Sequence, residues 1–421
     1  MKVLHVVHGY PPSTGGSQIL MQELSERLVA DYGDEVTVFT TNAYHMESFW
    51  TPGLAMMPPG IEAINGVQVR RFPVFNRFSP FRKLLAAFAY RLHLPYSDWL
   101  RTLQNGPLIR DMTDAVARSG ADVALAAAFP LMHMYYALKG THRAGIPLVL
   151  LGAIHASDSW GYDRNMIYQA IQRADAYIAL TPFERDFLVE RRIEENKIEV
   201  IGPGVDPDAF AGGDGATARE RYGWGAAPVV AMMGKQTRRK GFDVLLAAMQ
   251  HVWATHPDTH LLLAGARTPY SRQIIAMVQG LPSAQRERVT IVGDFAEDEK
   301  PDLLSACDIF VLPSGQEAFG IAFIEAWACS RPVIGVRAGP IPSVIDEGKD
   351  GILVNYQDAD DLAHAILELL AEPERRAQMG KAGQEKVLRQ YTWDNMTRRV
   401  REVYRKVLSV NPGWPKKRQA P

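Results

Sequence analysis

Short runs rich in Val, Ile and Leu alternate with helix-length segments along almost the whole chain, and the series starts twice. The first series is KVLHVVH (2–8), EVTVFTT (35–41), VQVRRF (67–72), DVALAAAF (122–129), PLVLLG (147–152), DAYIALT (175–181) and KIEVIG (197–202). The second is PVVAMMG (228–234), LLLAG (261–265), VTIVG (289–293), CDIFVLPS (307–314), RPVIGV (331–336) and GILV (351–354). Continuous apolar strands separated by helices predict parallel sheets covered on both faces. Two such series predict two doubly wound, Rossmann-like α/β domains. With 421 residues, the chain also exceeds what one hydrophobic core usually supports.

The stretch GPGVDPDAFAGGDGATA (202–218), dense in Gly, Pro and Asp, reads as the linker. Beyond the strand 351–354 the pattern turns purely helical, over 358–371, 374–391 and 393 to about 408, and the tail PGWPKKRQAP reads as a frayed end. Lys plus Arg (46) nearly cancels Asp plus Glu (47), so no global field draws the chain to nucleic acid or membrane. Cys307 and Cys329 lie in apolar runs without metal-type spacing, which fits buried thiols in a reducing cytoplasm. MKVLHVVHGYPP is too short an apolar run for a signal peptide, and VALAAAFPLMHMYYAL (123–138) is broken before it could cross a bilayer.

One segment differs in character. FNRFSPFRKLLAAFAYRLHLPYSDWLRTL (75–103) sets Arg77, Arg82, Lys83, Arg91 and Arg101 against Asp98 alone, with aromatic and aliphatic residues between. Such a basic amphipathic stretch suits an anionic membrane surface or an acceptor groove; a covering helix with its basic side in water has the same composition.

In open α/β sheets the loops after the strands hold the chemistry. Gly15 and Gly16 precede a helix after the first strand, where backbone N–H groups can approach an anion; a tight turn would use the same two glycines. Lys235 and Lys240 follow the strand 228–234, two ammonium groups suited to a diphosphate, although loop lysines are often only solvated. After the strand 307–314 comes GQEAFGIAFIEAW, with a helix predicted to begin near Gly320. The N–H groups of Gly320, Ile321 and Ala322 would then face an anion, while Glu317 and Glu325 suit sugar hydroxyls; one carboxylate capping the helix and another in a salt bridge would look the same. His155 lies just beyond the strand 147–152 and is expected to face the same cleft, although a buried histidine at a strand end is more often structural. Three motifs are decoys. Asp206-Pro-Asp208 reads as a turn rather than a metal-binding DxD; GDGATA (213–218) follows no strand; GKQT has Val229 where a phosphate-binding loop needs glycine. No histidine has a metal-ligand spacing, so no metal site is expected.

These segments closely resemble the retaining family 4 glycosyltransferases of GT-B fold. The residues that carry the resemblance are GKQTRRKGFDVLLAAM, LLLAG, VTIVGDF and DIFVLPSGQEAFGIAFIEAWACSRPVIGVRAGPIPSVIDEGKDGILV, with PPSTGGSQ, VIGPGVD and YTWDNMTRRVREVYRKVL beside them. The resemblance implies two Rossmann-like domains facing across a cleft. An acceptor-binding domain (1–202) would be completed by a helix over 391–410 that crosses back to it, and residues 203–390 would bind the donor. It implies sugar transfer from a nucleotide-diphosphate sugar, without a metal or other cofactor, to a glycan or lipid-linked acceptor in envelope or polysaccharide synthesis. Lys235 and Lys240 would hold the diphosphate, Glu325 the ribose and Glu317 the donor sugar. His155 would lie near the anomeric centre, Gly15 and Gly16 at the phosphate, and Phe319 and Gly320 would offer N–H groups. Catalysis would thus fall to His155, Lys240 and Glu317, in a cytoplasmic protein peripheral to the inner membrane face through 75–103. The chain departs from the family in having Lys235 where Arg is usual and Ser343 where Glu often stands. A GT-B epimerase, a phosphorylase or a non-catalytic sugar-nucleotide-binding subunit would share the cleft; four polar residues, His155, Lys240, Glu317 and Glu325, exceed what binding alone needs.

Overall fold

A computed structural model describes residues 1–156 and 158–410, so the tail expected to fray lies outside the described residues. It divides into two units, one of Met1–Gly202 with Trp393–Val410, the other of Pro203–Thr392.

Among the described residues, the first unit holds eight strands: β1 (Lys2–Val6), β2 (Glu35–Thr41), β3 (Gly60–Ile64), β4 (Val67–Phe72), β5 (Val123–Ala127), β6 (Leu148–Leu151), β7 (Ala176–Ala179) and β8 (Ile198–Val200). Their order is β3-β4-β2-β1-β5-β6-β7-β8. All pairings are parallel except β3 with β4. This antiparallel edge corrects the all-parallel expectation. β3 is almost wholly exposed and so carries no apolar run. What makes it a strand is the two-residue turn Asn65-Gly66, with φ of 47° and 82°, which matches the twist of a tight hairpin.

The helix Trp393–Val410 belongs to this first unit and packs on the helix Gly16–Tyr32. Its buried residues Trp393, Met396, Val400, Val403, Tyr404 and Val407 recur at three- and four-residue spacing, the mark of one apolar face. His5 on β1 joins the two helices. The Ser25 hydroxyl donates to the Met21 carbonyl at 2.5 Å, so it accepts from His5 Nδ1–H at 2.7 Å. His5 Nε2 is then left to accept from the Tyr404 hydroxyl at 2.9 Å. Burial pushes the His5 imidazole down to about 3, so the ring is neutral.

The segment 75–103 forms the helices Ser79–Arg91 and Ser97–Asn105. Two of its cations are internal rather than free for a surface. Arg82 donates to the carbonyls of Leu103 and Phe49, and Arg101 to Asp98 and the Trp160 carbonyl. The face left in water is apolar, with Arg77, Lys83 and Arg91 exposed beside it. Phe78, Phe81, Leu84, Leu85, Phe88 and Leu92, at helical spacing, are all exposed, and Tyr96 is 80% exposed nearby.

The second unit contains β9 (Val229–Met233), β10 (His260–Gly265), β11 (Val289–Gly293), β12 (Ile309–Val311), β13 (Val333–Val336) and β14 (Gly351–Val354). They pair in parallel in the order β11-β10-β9-β12-β13-β14. This is the strand order of a dinucleotide fold, and it reverses between β9 and β12, where such sheets open a ligand crevice. The expected linker is instead structured. Asp206 caps the helix Pro207–Ala211 and Asp214 caps the helix Gly215–Tyr222. A Cβ on Gly213 would come within 2.4 Å of the Pro301 carbonyl, so glycine there permits backbone contact rather than flexibility. Both cysteines are buried and form no disulfide. Among the described residues no helix is long and apolar enough to cross a membrane.

Candidate active site

β9 and β12 are neighbours, so the loops that follow them meet at the switch point of the second sheet. Lys240 comes from the first loop and Glu317 from the second. Lys240 Nζ donates to Glu317 Oε1 at 2.5 Å, with the two side chains only 17% and 12% exposed. The approach of the loops depends on Gly241, whose φ is 83° and whose added Cβ would lie 2.7 Å from the Pro313 carbonyl. Ser314 reinforces it by donating to the Arg239 carbonyl at 3.2 Å. Lys235, on the same loop, stays exposed.

Gly320 caps the helix Ile321–Ala328 with φ of 94°, a conformation that L side chains rarely adopt. The first N–H groups of a helix have no intrahelical partner, so those of Gly320, Ile321 and Ala322 form a positive pole beside Glu317. Phe319 is buried, with its ring edge-on to Tyr391 at 5.3 Å. Glu325, between one and two turns along, does not meet Lys240. Its Oε1 accepts from Lys300 Nζ at 3.0 Å, and the same ammonium reaches Glu297 at 2.6 Å.

Gly15, Gly16 and His155 belong to the first unit. Gly15 is the cap residue of the helix Gly16–Tyr32, and a Cβ there would meet the Gln18 amide oxygen at 2.6 Å. His155 follows β6, with its ring 5.2 Å from that of Tyr162. The loop is fixed by Glu184, a buried carboxylate that accepts from Ile154 N–H (3.0 Å), Leu180 N–H (2.8 Å) and the Tyr177 hydroxyl (2.5 Å). Burial raises its pKa above the usual carboxylate range, against these three donors. Gly152 lets Tyr177 reach in, since a Cβ there would overlap its hydroxyl.

Lys300 and Glu184 are not among the candidates read from the sequence. Glu184 carried a signal in Thr181-Pro-Phe-Glu184, the spacing of a capping box. Lys300 carried none, because AEDEKPD reads as a solvated charge run. Among the described residues no group of three or more His, Cys, Asp or Glu could hold a metal ion.

Two domain models match the chain, Glycosyltransferase Family 4 over residues 14–209 and Glycosyl transferases group 1 over residues 216–386. The alpha-maltose-1-phosphate synthase of Mycolicibacterium smegmatis is 32% identical over 342 residues, covering 72% of this chain and 86% of that protein. The chain belongs to glycosyltransferase family 4. A GDP-mannose-dependent alpha-(1-6)-phosphatidylinositol monomannoside mannosyltransferase of the same organism is 35% identical to the transferase over 215 residues. That match covers 49% of this chain and spans only 56% of the mannosyltransferase. The structure of sucrose-phosphate synthase from Thermosynechococcus elongatus superposes with a TM-score of 0.73 at 23% identity, covering 97% of this chain and 100% of that one. The transferase thus has the GT-B fold, and it uses nucleotide sugars as its family does.

Proposed function

We propose that this transferase moves a sugar, with retention and without a metal ion, from a nucleotide-diphosphate sugar to a glycan or lipid-linked acceptor in envelope or polysaccharide assembly. The Lys240–Glu317 pair at the switch point of the second sheet carries the reading. When the bond from the anomeric carbon to the diphosphate oxygen breaks, its electron pair stays on that oxygen. Lys240, Lys235 and the N–H groups of Phe319, Gly320 and Ile321 face the growing charge. Glu317 holds sugar hydroxyls, Glu325 holds the ribose, Gly15 and Gly16 admit the phosphate, and His155 lies near the anomeric centre. One bacterial relative is named for GDP-mannose and a phosphatidylinositol monomannoside, the other for alpha-maltose 1-phosphate, which supports the class of reaction and leaves donor and acceptor at that level.

Glu317→Gln keeps the shape of the side chain and removes its charge. Turnover is expected to fall at least tenfold while calorimetry shows the free nucleoside diphosphate still binding; Glu325→Ala should instead weaken that binding. Near-normal turnover in Glu317→Gln would assign the residue to structure alone.

The exposed apolar face of helix Ser79–Arg91, flanked by Arg77, Lys83 and Arg91, supports peripheral attachment to anionic lipid. The mannosyltransferase relative acts, by its name, on a phosphatidylinositol monomannoside. Co-sedimentation with phosphatidylserine vesicles is expected at low ionic strength and should weaken with salt, the apolar face leaving a residual fraction bound. No binding even at low salt would remove the membrane from this account.

A further inference from the structure

Lys300 occupies a place that stability alone does not favour. It is the first residue of the helix Lys300–Ala306, where a cation opposes the helix dipole. Its side chain is only 16% exposed, so its ammonium is largely taken from water. Burial by itself would lower its pKa, yet the carboxylates of Glu325 and Glu297 outweigh burial and raise it, so the group is fully charged. Glu297 is 69% exposed, and a pair with so exposed a partner contributes little to folding. The contact that remains is Glu325 Oε1 at 3.0 Å, with Glu325 itself 15% exposed.

Lys300 follows β11, so the pair lies on the same ligand-bearing side of the second sheet as Lys240 and Glu317. A carboxylate that accepts from two adjacent hydroxyls must present both oxygens in one plane, and a free Glu side chain explores several rotamers. An ammonium on Oε1 removes that freedom and leaves Oε2, with the second lone pair of Oε1, to accept.

We propose that Lys300 is the positioning residue of the nucleotide site, fixing the Glu325 carboxylate to accept a vicinal diol of the ribose. The inference rests on Glu325 as the ribose-binding group. Lys300 touches no ligand itself; it acts through Glu325.

The test uses calorimetry with UDP, GDP and ADP and with their 2′,3′-dideoxy forms, the base that binds the unmodified protein tightest being carried forward. Lys300→Met is expected to weaken the ribonucleotide about tenfold and to leave the dideoxy form within about twofold, which also reports that the variant is folded. Lys300→Arg should recover the ribonucleotide to within about threefold. On a Glu325→Ala background, Lys300→Met should cause no further loss. Equal weakening of both nucleotide forms in Lys300→Met overturns the proposal, since Lys300 would then act on the diphosphate, the base or the fold. So does an additive loss in the double variant. If Glu325→Ala alone leaves the preference for ribose over dideoxyribose intact, the ribose assignment itself fails, and the positioning role falls with it.

Discussion

Lys240→Ala is expected to lower turnover by two or more powers of ten, with a much smaller effect on donor affinity. A departing nucleotide diphosphate gains charge as the glycosidic bond breaks, so a fixed ammonium stabilises the transition state more than the ground state. At about 4 Å and an effective dielectric near 20, one unit charge is worth on the order of 4 kcal/mol before desolvation is subtracted. A net 3 kcal/mol would be a factor of roughly 150 in rate. The structure adds a second cost. Glu317 faces Lys240 at 2.5 Å and is 12% exposed, so removing the lysine leaves a carboxylate without its partner beside the expected position of the sugar. Lys240→Arg keeps the charge but cannot reproduce a compact ammonium at that distance, and it should lie between the two. Single-turnover rates and donor affinity, measured together, separate these effects. A Lys240→Ala enzyme within fivefold of the original turnover would show that the pair serves only to join two loops.

Acidification should destabilise the first unit before most carboxylates titrate. His5 and His8 are pushed down to about 3 and His133 to about 4, in each case chiefly by burial. The rings of His8 and His133 lie 5.8 Å apart, so charging one opposes charging the other. A histidine held neutral in the fold takes up its proton more readily when unfolded. Its contribution is therefore complete above the unfolded value of about 6.5 and is lost as pH falls towards the folded value. Between pH 7.5 and 5 each ring would cost about 2 kcal/mol, and three together about 6 kcal/mol, within the range of a whole domain's stability. The buried Glu184 acts in the opposite sense, because its raised pKa favours the protonated fold, and it offsets part of the loss. A fall in Tm of more than roughly 10 °C from pH 7.5 to pH 5 is expected for a unit of this size. A shift of only a few degrees would mean that the three rings reach solvent.

Much of this architecture can be read from apolar periodicity. Every strand with an apolar run, from β1 to β14, lies where its run lies, because burial on both faces imposes that composition. β3 escapes that signal, being exposed on nearly every residue, although Asn65-Gly66 marked its hairpin. Candidate site residues could be chosen one by one as polar groups in loops after strands. The meeting of Lys240 with Glu317 could not, since it depends on β9 lying beside β12 across 77 residues of chain. The helix Ser79–Arg91 shows the converse failure. Phe78, Phe81, Leu85 and Phe88 have the spacing of a core face, and composition left a membrane or acceptor surface and a covering helix equally open. Spacing cannot say which face is covered; here Ala86, Ala89 and Arg82 turn inward.

The helix that supplies Tyr404 to His5 is made about two hundred residues after the rest of its unit. At roughly 5–20 residues per second, a ribosome needs about 10–40 s to travel from Gly202 to Val410. Throughout that interval the nascent first unit has a polar ring on its central strand without its hydroxyl partner, and an apolar stripe of the helix Gly16–Tyr32 uncovered. The intervening unit, by contrast, is continuous from Pro203 to Thr392 and can close on its own contacts as it emerges. The order of synthesis is thus not the order of completion: the part begun first is finished last. Over that interval the growing chain presents the kind of surface that chaperones shield.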